Sequence, residues 1–406
     1  RVKKINQSTE ITIKSGSTTG EVIITGIEDR TDEEDETIIV TPSLSASNVT
    51  TEISASTTVT LLDNSISLVQ KDDPFLGLKQ GSVSWGDFDN DGDKDVAIMG
   101  TNDAVGAFND IYRNDGGSFT RMNQNFANLF DGDLSWVDLN IDGYLDLVIS
   151  GFNETPQTNV YISKNNAQYF EKSDNDYGLP ALFASKMAWG DLDNDGDIDL
   201  AISGIDSDNN LSTNVYYREN GKDNFIRESE FQYQSGYENG FLKIVDIDLD
   251  GDNDILMPGN MIRNSFFRSS YNSGYNGGGG NKNSSIGLFK RPGSGYIDYI
   301  QMGEDSNGNI SSNASRWGIN LNLKDGDIAV GDYDNNGFDD FVITGEDANG
   351  VPVTKLYEGL NGYWIESSTE LVGLRESTAN WVDYDMDGDL DLFITGLDSS
   401  SAKTIL

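Results

Sequence analysis

The sequence predicts an all-β fold of repeated four-stranded units, and three observations support this. A nine-residue acidic pattern occurs six times, with Asp or Asn at positions one, three and five, Gly at position six and Asp at position nine. Its copies begin 51, 53, 55, 86 and 51 residues apart, a period typical of repeat folds. Short apolar stretches flank each copy, and an aromatic strand and a turn follow. Four short strands per unit are typical of a β-propeller blade, so residues 65–406 are predicted to form a propeller of six or seven blades.

The chain before this region, residues 1–64, predicts a small β-sandwich or part of one. Four strands are expected, at Glu10–Lys14, Glu21–Thr25, Thr37–Thr41 and Thr58–Leu62. The acidic DEEDET run before a strand and the closing VTLLDNS resemble the C-terminal half of a Calx-β domain. In that family the acidic run can bind calcium, whereas the alternative here is a solvated connection between strands.

Each repeat unit begins with an apolar strand that leads into the acidic loop, as at 82–86 (SVSWG), 134–137 (LSWV) and 187–190 (MAWG). A second strand leaves the loop and ends in glycine, as in DVAIMG and DLVISG. The residue two before the first Asp is apolar in every unit: Trp85, Trp136, Trp189, Ile244, Val330 and Trp381. A position that accepts Trp, Ile or Val favours packing between blades over stacking on a ligand.

The 86-residue spacing is interpreted as one unit with an insertion, because it is too short for two units of the usual length. Residues 288–299 (LFKRPGSGYIDY) align with the third and fourth strands of other units. The insertion then falls at about 260–284, where it includes the low-complexity run SGYNGGGGNKN. Tyr271, Tyr275 and Asn276 are candidate ligand contacts on it, and an unstructured ornament is the alternative.

The last unit stops within its third strand, which leaves the closure of the ring open. Either residues 65–71 (SISLVQK) supply the outer strand of this unit and close a six-bladed ring, or the rest of the unit and a seventh one follow Leu406. The opening residues RVKKINQ indicate that the chain is part of a longer polypeptide.

The acidic loops have the chemistry of a calcium site, with up to six ions expected. Oxygen ligands at positions one, three and five, with a glycine at six for the turn, are how a short loop wraps a hard cation. Position seven accepts Tyr144 and Phe338, so its backbone carbonyl is the expected ligand, and the carboxylate at position nine closes the shell. Position twelve is apolar, which excludes an EF-hand, and magnesium requires a tighter octahedron than such loops favour.

The candidate ligands form six loops, numbered in chain order. They are Asp87, Asp89, Asp91, Asp93 and Asp95 in loop 1; Asp138, Asn140, Asp142, Tyr144 and Asp146 in loop 2; Asp191, Asp193, Asp195, Asp197 and Asp199 in loop 3; Asp246, Asp248, Asp250, Asp252 and Asp254 in loop 4; Asp332, Asp334, Asn336, Phe338 and Asp340 in loop 5; and Asp383, Asp385, Asp387, Asp389 and Asp391 in loop 6.

Two of these loops are predicted to bind calcium most weakly, because Asn140 and Asn336 offer an amide oxygen without charge. The metal is expected to be structural, since a catalytic metal needs an open coordination position and a base. The alternative, that Asp-Gly pairs merely form turns, is disfavoured by six copies of the same acidic spacing.

The composition excludes several classes of partner and chemistry. A net charge of -41 argues against nucleic acid and anionic membrane surfaces, which both require cationic patches. The chain has no Cys and no His, which removes thiolate catalysis and the commonest general base. No apolar run is long enough for a transmembrane helix, so no direct membrane insertion is expected.

The acidic loop between the first two strands of a blade resembles the DxDxDGxxD motif of FG-GAP/VCBS propellers, the family that includes the integrin α-subunit head. The resemblance spans six copies, and the WGDxDNDGDxD form resembles surface and secreted bacterial proteins. It implies a non-enzymatic, calcium-stabilised binding or adhesion module of a large secreted or cell-surface protein. A glycan or protein ligand is expected at the face opposite the calcium loops, and an extracellular or bacterial cell-surface location is implied.

Two alternatives stay open at the level of sequence. The chain is an accessory propeller of a secreted carbohydrate-active enzyme, a polysaccharide lyase or hydrolase, whose catalytic part lies elsewhere. Otherwise the propeller itself acts on a polysaccharide, for which Lys290, Arg291 and Tyr296 are candidates, although nothing in their spacing requires this.

Overall fold

The computed structural model describes residues 36–40, 57–61, 68–71, 74–218, 224–228, 240–258, 260–262, 282–291, 294–305, 307–319, 321–360 and 362–406. The chain divides into two compact units, Arg1–Ser67 and Leu68–Leu406. Among the described residues, no helix has the length and apolar character needed to cross a membrane.

The first unit contributes two described strands, β1 (Glu36–Val40) and β2 (Thr57–Leu61), which pair antiparallel with Ile38 opposite Val59. These confirm the strands predicted near the same positions. The two earlier predicted strands and most of the acidic run lie outside the described residues.

The described residues of the second unit form seven sheets of three or four antiparallel strands, each in chain order, which we call blades 1 to 7. Blade 1 contains β3 (Lys79–Gly86), β4 (Asp95–Asn102), β5 (Gly106–Asn114) and β6 (Phe119–Arg121); blade 2 contains β7 (Phe130–Val137), β8 (Asp146–Asn153), β9 (Thr155–Lys164) and β10 (Tyr169–Lys172); blade 3 contains β11 (Phe183–Gly190), β12 (Asp199–Ile205), β13 (Leu211–Arg218) and β14 (Phe225–Arg227). Blade 4 contains β15 (Lys243–Val245), β16 (Asp254–Met257) and β17 (Asn260–Ile262); blade 5 contains β18 (Lys282–Phe289), β19 (Asp298–Glu304) and β20 (Ile310–Ser312), followed by a 3₁₀ turn (Ala314–Trp317). Blade 6 contains β21 (Ile328–Gly331), β22 (Asp340–Glu346), β23 (Pro352–Leu360) and β24 (Tyr363–Glu366); blade 7 contains β25 (Arg375–Val382), β26 (Asp391–Leu397) and β27 (Ala402–Ile405).

The sheets are arranged as a β-propeller around a central cavity of about 670 Å³, which residues at or beside the first strand of every blade line. The core lies between neighbouring blades rather than at one centre. Phe88 and Ala97 of blade 1, for example, cluster with Leu147 and Tyr161 of blade 2. The predicted all-β propeller is therefore confirmed, and the acidic loops join the first and second strands of blades 1 to 4, 6 and 7.

Blade 5 corrects the interpretation of the 86-residue spacing. Strand β18 ends at Phe289 and pairs with β19, which begins at Asp298, so residues 290–297 connect the first two strands of a separate sheet. The alignment of 288–299 with a third and fourth strand was wrong, as was the placement of an insertion between strands two and three of one unit. Blade 5 keeps the aspartate of position nine of the acidic pattern, at Asp298. This residue lies 44 residues after Asp254 and 42 before Asp340, the equivalent aspartates of blades 4 and 6, so the 86-residue spacing corresponds to two short blades.

The beginning and end of the second unit lie side by side. Lys71 N donates to Leu406 O at 2.9 Å, and Leu78 N donates to Lys403 O at 3.4 Å. The same kind of bond occurs in blade 6, where Ser367, the residue after the fourth strand, donates its N–H to Leu356 O of the third strand at 2.9 Å. Lys71 therefore takes the place in blade 7 that Ser367 takes in blade 6. The predicted contact of residues 65–71 with the last unit is thus found at Lys71, in a ring of seven sheets instead of six.

The apolar residues before the loops pack between blades, which confirms that prediction. Trp136 stacks on Phe88 of the preceding blade with ring centroids 5.5 Å apart, and Trp381 stacks on Tyr333 at 5.4 Å. A glycine makes room for each indole: a Cβ at Gly86 would lie 3.0 Å from Trp136 Cδ1. The WG pair before the loop is therefore a packing motif, not a ligand-stacking one.

Candidate metal centres and the opposite face

Each acidic loop is a tight coil held by hydrogen bonds from its own backbone to its carboxylates. In all six loops the Gly N–H at position six donates to the side chain at position one, at 2.8 to 3.2 Å. The N–H at position seven donates to the side chain at position five, at 2.8 to 3.0 Å. The glycine has φ between 84° and 101°, a conformation that disfavours other residues, which explains its presence in every copy.

The coil brings carboxylates close together. In loops 1, 3, 5 and 6, one oxygen from each of positions one, three and nine lies within 4.8 Å of the others. In loop 4 the corresponding group is Asp246, Asp248 and Asp250. Loop 2 is not among these groups, because Asn140 stands at position three in place of a carboxylate.

Several of these oxygens are buried without a hydrogen-bond donor. Asp89 Oδ1, Asp191 Oδ1, Asp383 Oδ1 and Asp391 Oδ2 are in this state. Since a buried charged oxygen without a donor is unfavourable, and since the neighbouring groups are also acidic, the geometry fits a cation with oxygen ligands. Positions one, three, five and nine would hold it, and the bound ion would supply the positive charge that the loop lacks.

Position nine has a second task that sequence reasoning missed. Asp95 is fully buried; its Oδ2 accepts from Phe88 N at 3.1 Å and its Oδ1 accepts from Asn114 N of β5 at 2.8 Å. The same two contacts recur around Asp146, Asp199 and Asp340. This carboxylate therefore ties the loop to the third strand of its blade as well as facing the acidic cluster.

Burial of position nine disfavours its charge. It raises the pKa of Asp95 to about 8 and that of Asp340 to about 7, although backbone N–H donors oppose the shift. Burial likewise raises the pKa of Asp146, Asp199 and Asp391 to about 6. Carboxylates at positions one, three or five of the same loop add to each of these shifts by repulsion.

Where position seven is an aspartate, its side chain accepts hydrogen bonds from residues outside its own acidic cluster. Asp93 Oδ2 accepts from Gly116 N at 2.6 Å, while Asp252 and Asp389 accept from asparagines of the preceding loop. This agrees with a backbone ligand at position seven, as the occurrence of Tyr144 and Phe338 there suggested. Asn336 of loop 5 is also engaged, because its Nδ2 donates to Asp334 Oδ2 at 2.9 Å and to Gly359 O at 3.1 Å.

Blade 5 places a fixed cation where the other blades have the acidic cluster. Arg291 Nε donates to Asp298 Oδ2 at 2.6 Å, and Asp298 is 3% exposed. The guanidinium also lies over the Trp317 ring, 4.9 Å from its centroid. The buried acid at position nine is therefore paired with a positive charge in the one blade that lacks the acidic loop.

The central cavity lies toward the face opposite the acidic loops, because its lining comes mainly from the beginnings of the inner strands. Two aspartates fix the strands around it, Asp133, which is buried, and Asp327, which is half-buried. Asp133 Oδ1 accepts from Ser82 Oγ at 2.5 Å and its Oδ2 accepts from Met187 N at 2.8 Å, which links blades 1, 2 and 3. Asp327 likewise accepts from Ser285 Oγ at 2.6 Å and Ala379 N at 3.1 Å, which links blades 5, 6 and 7.

The candidate ligand contacts on the predicted insertion, Tyr271, Tyr275 and Asn276, lie outside the described residues. Charged groups on the cavity lining are mostly acidic: Asp131, Asp133, Asp325, Asp327 and Glu376, against Lys186 and Lys243.

Residues 138–202 match the family FG-GAP-like repeat, a stretch that contains loops 2 and 3. No curated protein matches the chain. Among solved structures, similar folds include AofleA from Arthrobotrys oligospora, with 11% identity over 80% of this chain and 81% of that chain and a TM-score of 0.40. The rhamnogalacturonan lyase PL11 of Bacillus licheniformis has 12% identity over 86% and 76%, with a TM-score of 0.43. A six-bladed fungal lectin of Aleuria aurantia has 9% identity over 81% and 91%, with a TM-score of 0.39. At such identities the likeness concerns the fold alone.

Proposed function

We propose that the chain is a non-enzymatic, calcium-stabilised binding module of a large secreted or cell-surface protein, which recognises a glycan or protein ligand at the face opposite the acidic loops. The observation that carries the proposal is the repeated loop geometry, in which carboxylates converge and buried oxygens face no donor. One calcium ion per loop, up to six, accounts for that geometry.

The choice of calcium over magnesium follows from the ligands. Each loop offers several carboxylate or amide oxygens, a ligand set that suits the flexible shell of calcium better than the strict octahedron of magnesium, which retains its waters. Blade 5 supports the need for a cation, since an arginine meets the buried acid there.

The proposed role of the metal is structural. Each loop joins the first two strands of its blade, and in loops 1, 2, 3 and 5 position nine ties it to the third, so a bound ion there would hold three strands together. Arg291, a candidate residue for lyase chemistry, is engaged with Asp298 and Trp317, which supports a module that is not an enzyme. The proposed location is extracellular or on a bacterial surface, where modules bind calcium weakly, and weak calcium affinity is therefore expected of these loops.

The ligand face is proposed from the position of the cavity. Loops over a rigid scaffold are where binding residues concentrate, and the cavity offers carboxylates and lysines for hydrogen bonds to hydroxyl or amide groups. The partial Calx-β-like segment would then precede the binding domain in the chain.

Thermal unfolding in calcium, in magnesium and in chelator tests the metal part of this proposal. A site at tenfold saturation adds ~1.4 kcal/mol of stability, so six sites add on the order of 8 kcal/mol. We expect a much higher melting temperature in calcium alone; equal melting in all three conditions would contradict the proposal.

Ligand binding needs a separate test. The calcium-loaded chain should bind members of a glycan array or an extracellular protein panel without altering them. Release of cleaved or unsaturated sugars from polysaccharides would instead establish an enzyme.

A further inference from the structure

Position four of the acidic loops shows an alternation that the calcium proposal does not explain. All six residues there are left-handed, with φ between 54° and 61°. The side chain is Asn in loops 1, 3 and 5, but it is apolar and exposed in loops 2, 4 and 6, where Ile141, Leu249 and Met386 are 63%, 43% and 58% exposed. Left-handed backbone favours Asn and disfavours Ile, so the shared backbone does not account for the difference.

The three asparagines each reach the next loop along the chain. Asn90 Nδ2 donates to Gly143 O at 2.9 Å, Asn194 Nδ2 donates to Asp252 Oδ1 at 2.6 Å, and Asn335 Nδ2 donates to Asp389 Oδ1 at 2.7 Å. Loops 3 and 4 also share a bond in the other direction, from Asn253 Nδ2 to Asp191 O at 2.9 Å. The apolar residues of loops 2, 4 and 6 have no side-chain donor with which to continue this chain of bonds.

These contacts meet both loops beside their candidate ligands. In the donor loop, position four lies between ligand positions three and five. In the acceptor loop the bond ends at position six or seven, and the N–H of position seven is itself held by the position-five carboxylate, as Asp252 N is by Asp250 Oδ1 at 3.0 Å. A cation that orders one loop of a pair therefore also orders the asparagine hydrogen bond to the other loop, and this bond in turn helps to order the ligands of that second loop.

We infer that the acidic loops bind their cations as three coupled pairs, loops 1 and 2, 3 and 4, and 5 and 6, through Asn90, Asn194 and Asn335. The inference rests on the proposed calcium function. Filling one loop of a pair strengthens binding at the other, and coupling between bound ligands of this kind is typically ~5-fold or more in affinity. Position four is apolar in loops 2, 4 and 6, so no amide at this position links one pair to the next.

The pair of loops 3 and 4 offers the sharpest test. Asp248→Ala removes a candidate ligand from loop 4, and Asn194→Leu removes the connecting amide. Leucine is the residue that loop 4 itself carries at this position, at Leu249, so the left-handed backbone accommodates it. The full chain is labelled with ¹⁵N-glycine and titrated with calcium, starting from chelated protein.

Each loop has its own reporter in this experiment, because the position-six glycine donates to the position-one carboxylate of the same loop. Gly196 reports loop 3, Gly251 reports loop 4, and Gly92 reports the uninvolved loop 1. In Asp248→Ala we expect loop 4 to lose binding and the half-saturation concentration of loop 3 to rise ~5-fold or more, with loop 1 unchanged. Asn194→Leu keeps the contact of Asn253 with Asp191 O, so in this background the added Asp248→Ala should still affect loop 3, but clearly less than in the unaltered chain.

The outcomes separate the two proposals. If Asp248→Ala leaves the response of Gly196 unchanged, the loops bind independently and the pairing is wrong while calcium binding stands. If loop 1 weakens as much as loop 3, the effect is a general loss of stability and the pairing is equally wrong. If the unaltered chain takes up no calcium, the proposed function fails and the pairing fails with it.

Discussion

At the scale of single residues, position nine of the acidic loop carries two functions that substitutions can separate. The Asp95 carboxylate accepts two backbone N–H groups and also faces the acidic cluster, whereas Asp89 Oδ1 faces the cluster with no donor. Position nine therefore acts on the fold with or without a cation, and position three acts mainly through the cation.

We expect Asp95→Asn to lower stability both in chelator and in calcium. One oxygen becomes an NH₂ group that faces a backbone donor, and a buried donor left unsatisfied costs ~1–3 kcal/mol. Asp89→Ala is the matched control: it should change the melting temperature in chelator little but reduce the rise on adding calcium. Differential scanning calorimetry in both conditions measures this, and equal losses for both variants in chelator would contradict the assignment.

The candidate ligands were predictable at this scale because their signal is local. Aspartates at fixed spacing around a glycine specify a coil, and the coil brings positions one, three and nine together in four loops. The contacts of position nine with β5 and its equivalents were not predictable, because the partner N–H lies about twenty residues away and carries no side-chain signal.

At the scale of elements, blade 5 shows how one sheet dispenses with the acidic loop. It retains the buried Asp298 at position nine and Gly303 at the end of the second strand, and Arg291 pairs with that buried carboxylate. The arginine is itself partly exposed, since its side chain is 35% accessible, so solvent weakens the pair.

Arg291→Gln should lower the free energy of unfolding, because it leaves the Asp298 carboxylate buried without its cation. The loss should be the same in calcium and in chelator, since blade 5 has no acidic loop. A second change, Asp298→Asn, should recover part of the loss by removing the unpaired charge. Urea unfolding of the single and double variants measures this, and a loss that appears only in calcium would show that Arg291 acts on a metal site.

Blade 5 was also the element that sequence reasoning misjudged. The other six blades are recognisable in the sequence because an acidic loop lies between two apolar strands. Their first and second strands begin and end close to the positions predicted from that pattern. In blade 5 the Arg291 guanidinium supplies the positive charge beside the buried aspartate of position nine, which a bound cation is proposed to supply in the other blades. The acidic loop is therefore missing from the sequence although the sheet is present.

At the scale of the whole molecule, polar contacts join blades that share little sequence. Asp133 connects blades 1 to 3 and Asp327 connects blades 5 to 7, both from the wall of the central cavity. Such contacts between blades hold the ring together independently of the acidic loops on the other face.

Asp327→Ala should therefore destabilise the ring by ~3 kcal/mol, since it leaves Ser285, Thr378 and the Ala379 N–H without their acceptor. Asp325→Ala, two residues away on the same cavity, is the control. Burial and repulsion from Glu304, Glu346 and Glu376 raise the pKa of Asp325, although Lys324, 3.9 Å away, opposes the shift, so removal of Asp325 should have little effect on stability. Chemical unfolding distinguishes the two, and similar losses for both would mean that Asp327 is not a specific link.

The response of stability to pH should depend on whether cations are present. Without them, burial raises the pKa of the position-nine carboxylates to between about 6 and about 8, above the ordinary value of 3.8. Between the unfolded value near 4 and the highest folded value near 8, the folded chain holds more protons than the unfolded chain. Its free energy of unfolding therefore falls as pH rises from about 4 to 8. The pKa values of Asp206, Asp305, Asp347 and Asp398 are instead lowered by hydrogen bonds, so above about pH 5 these groups are ionised in both states and do not contribute to the trend.

Calcium should reverse this trend, because protons and the cation compete for the same carboxylates. We expect the melting temperature in chelator to decrease from pH 5 to pH 8 and the gain from saturating calcium to grow over the same range. In Asp95→Asn the decrease between pH 6 and 8 should be smaller, since Asp95 has the highest of these pKa values at about 8. A melting temperature in chelator that stays level or rises toward pH 8 would mean that the buried carboxylates are ionised without a cation, and the charge argument for a metal in these loops would then fail.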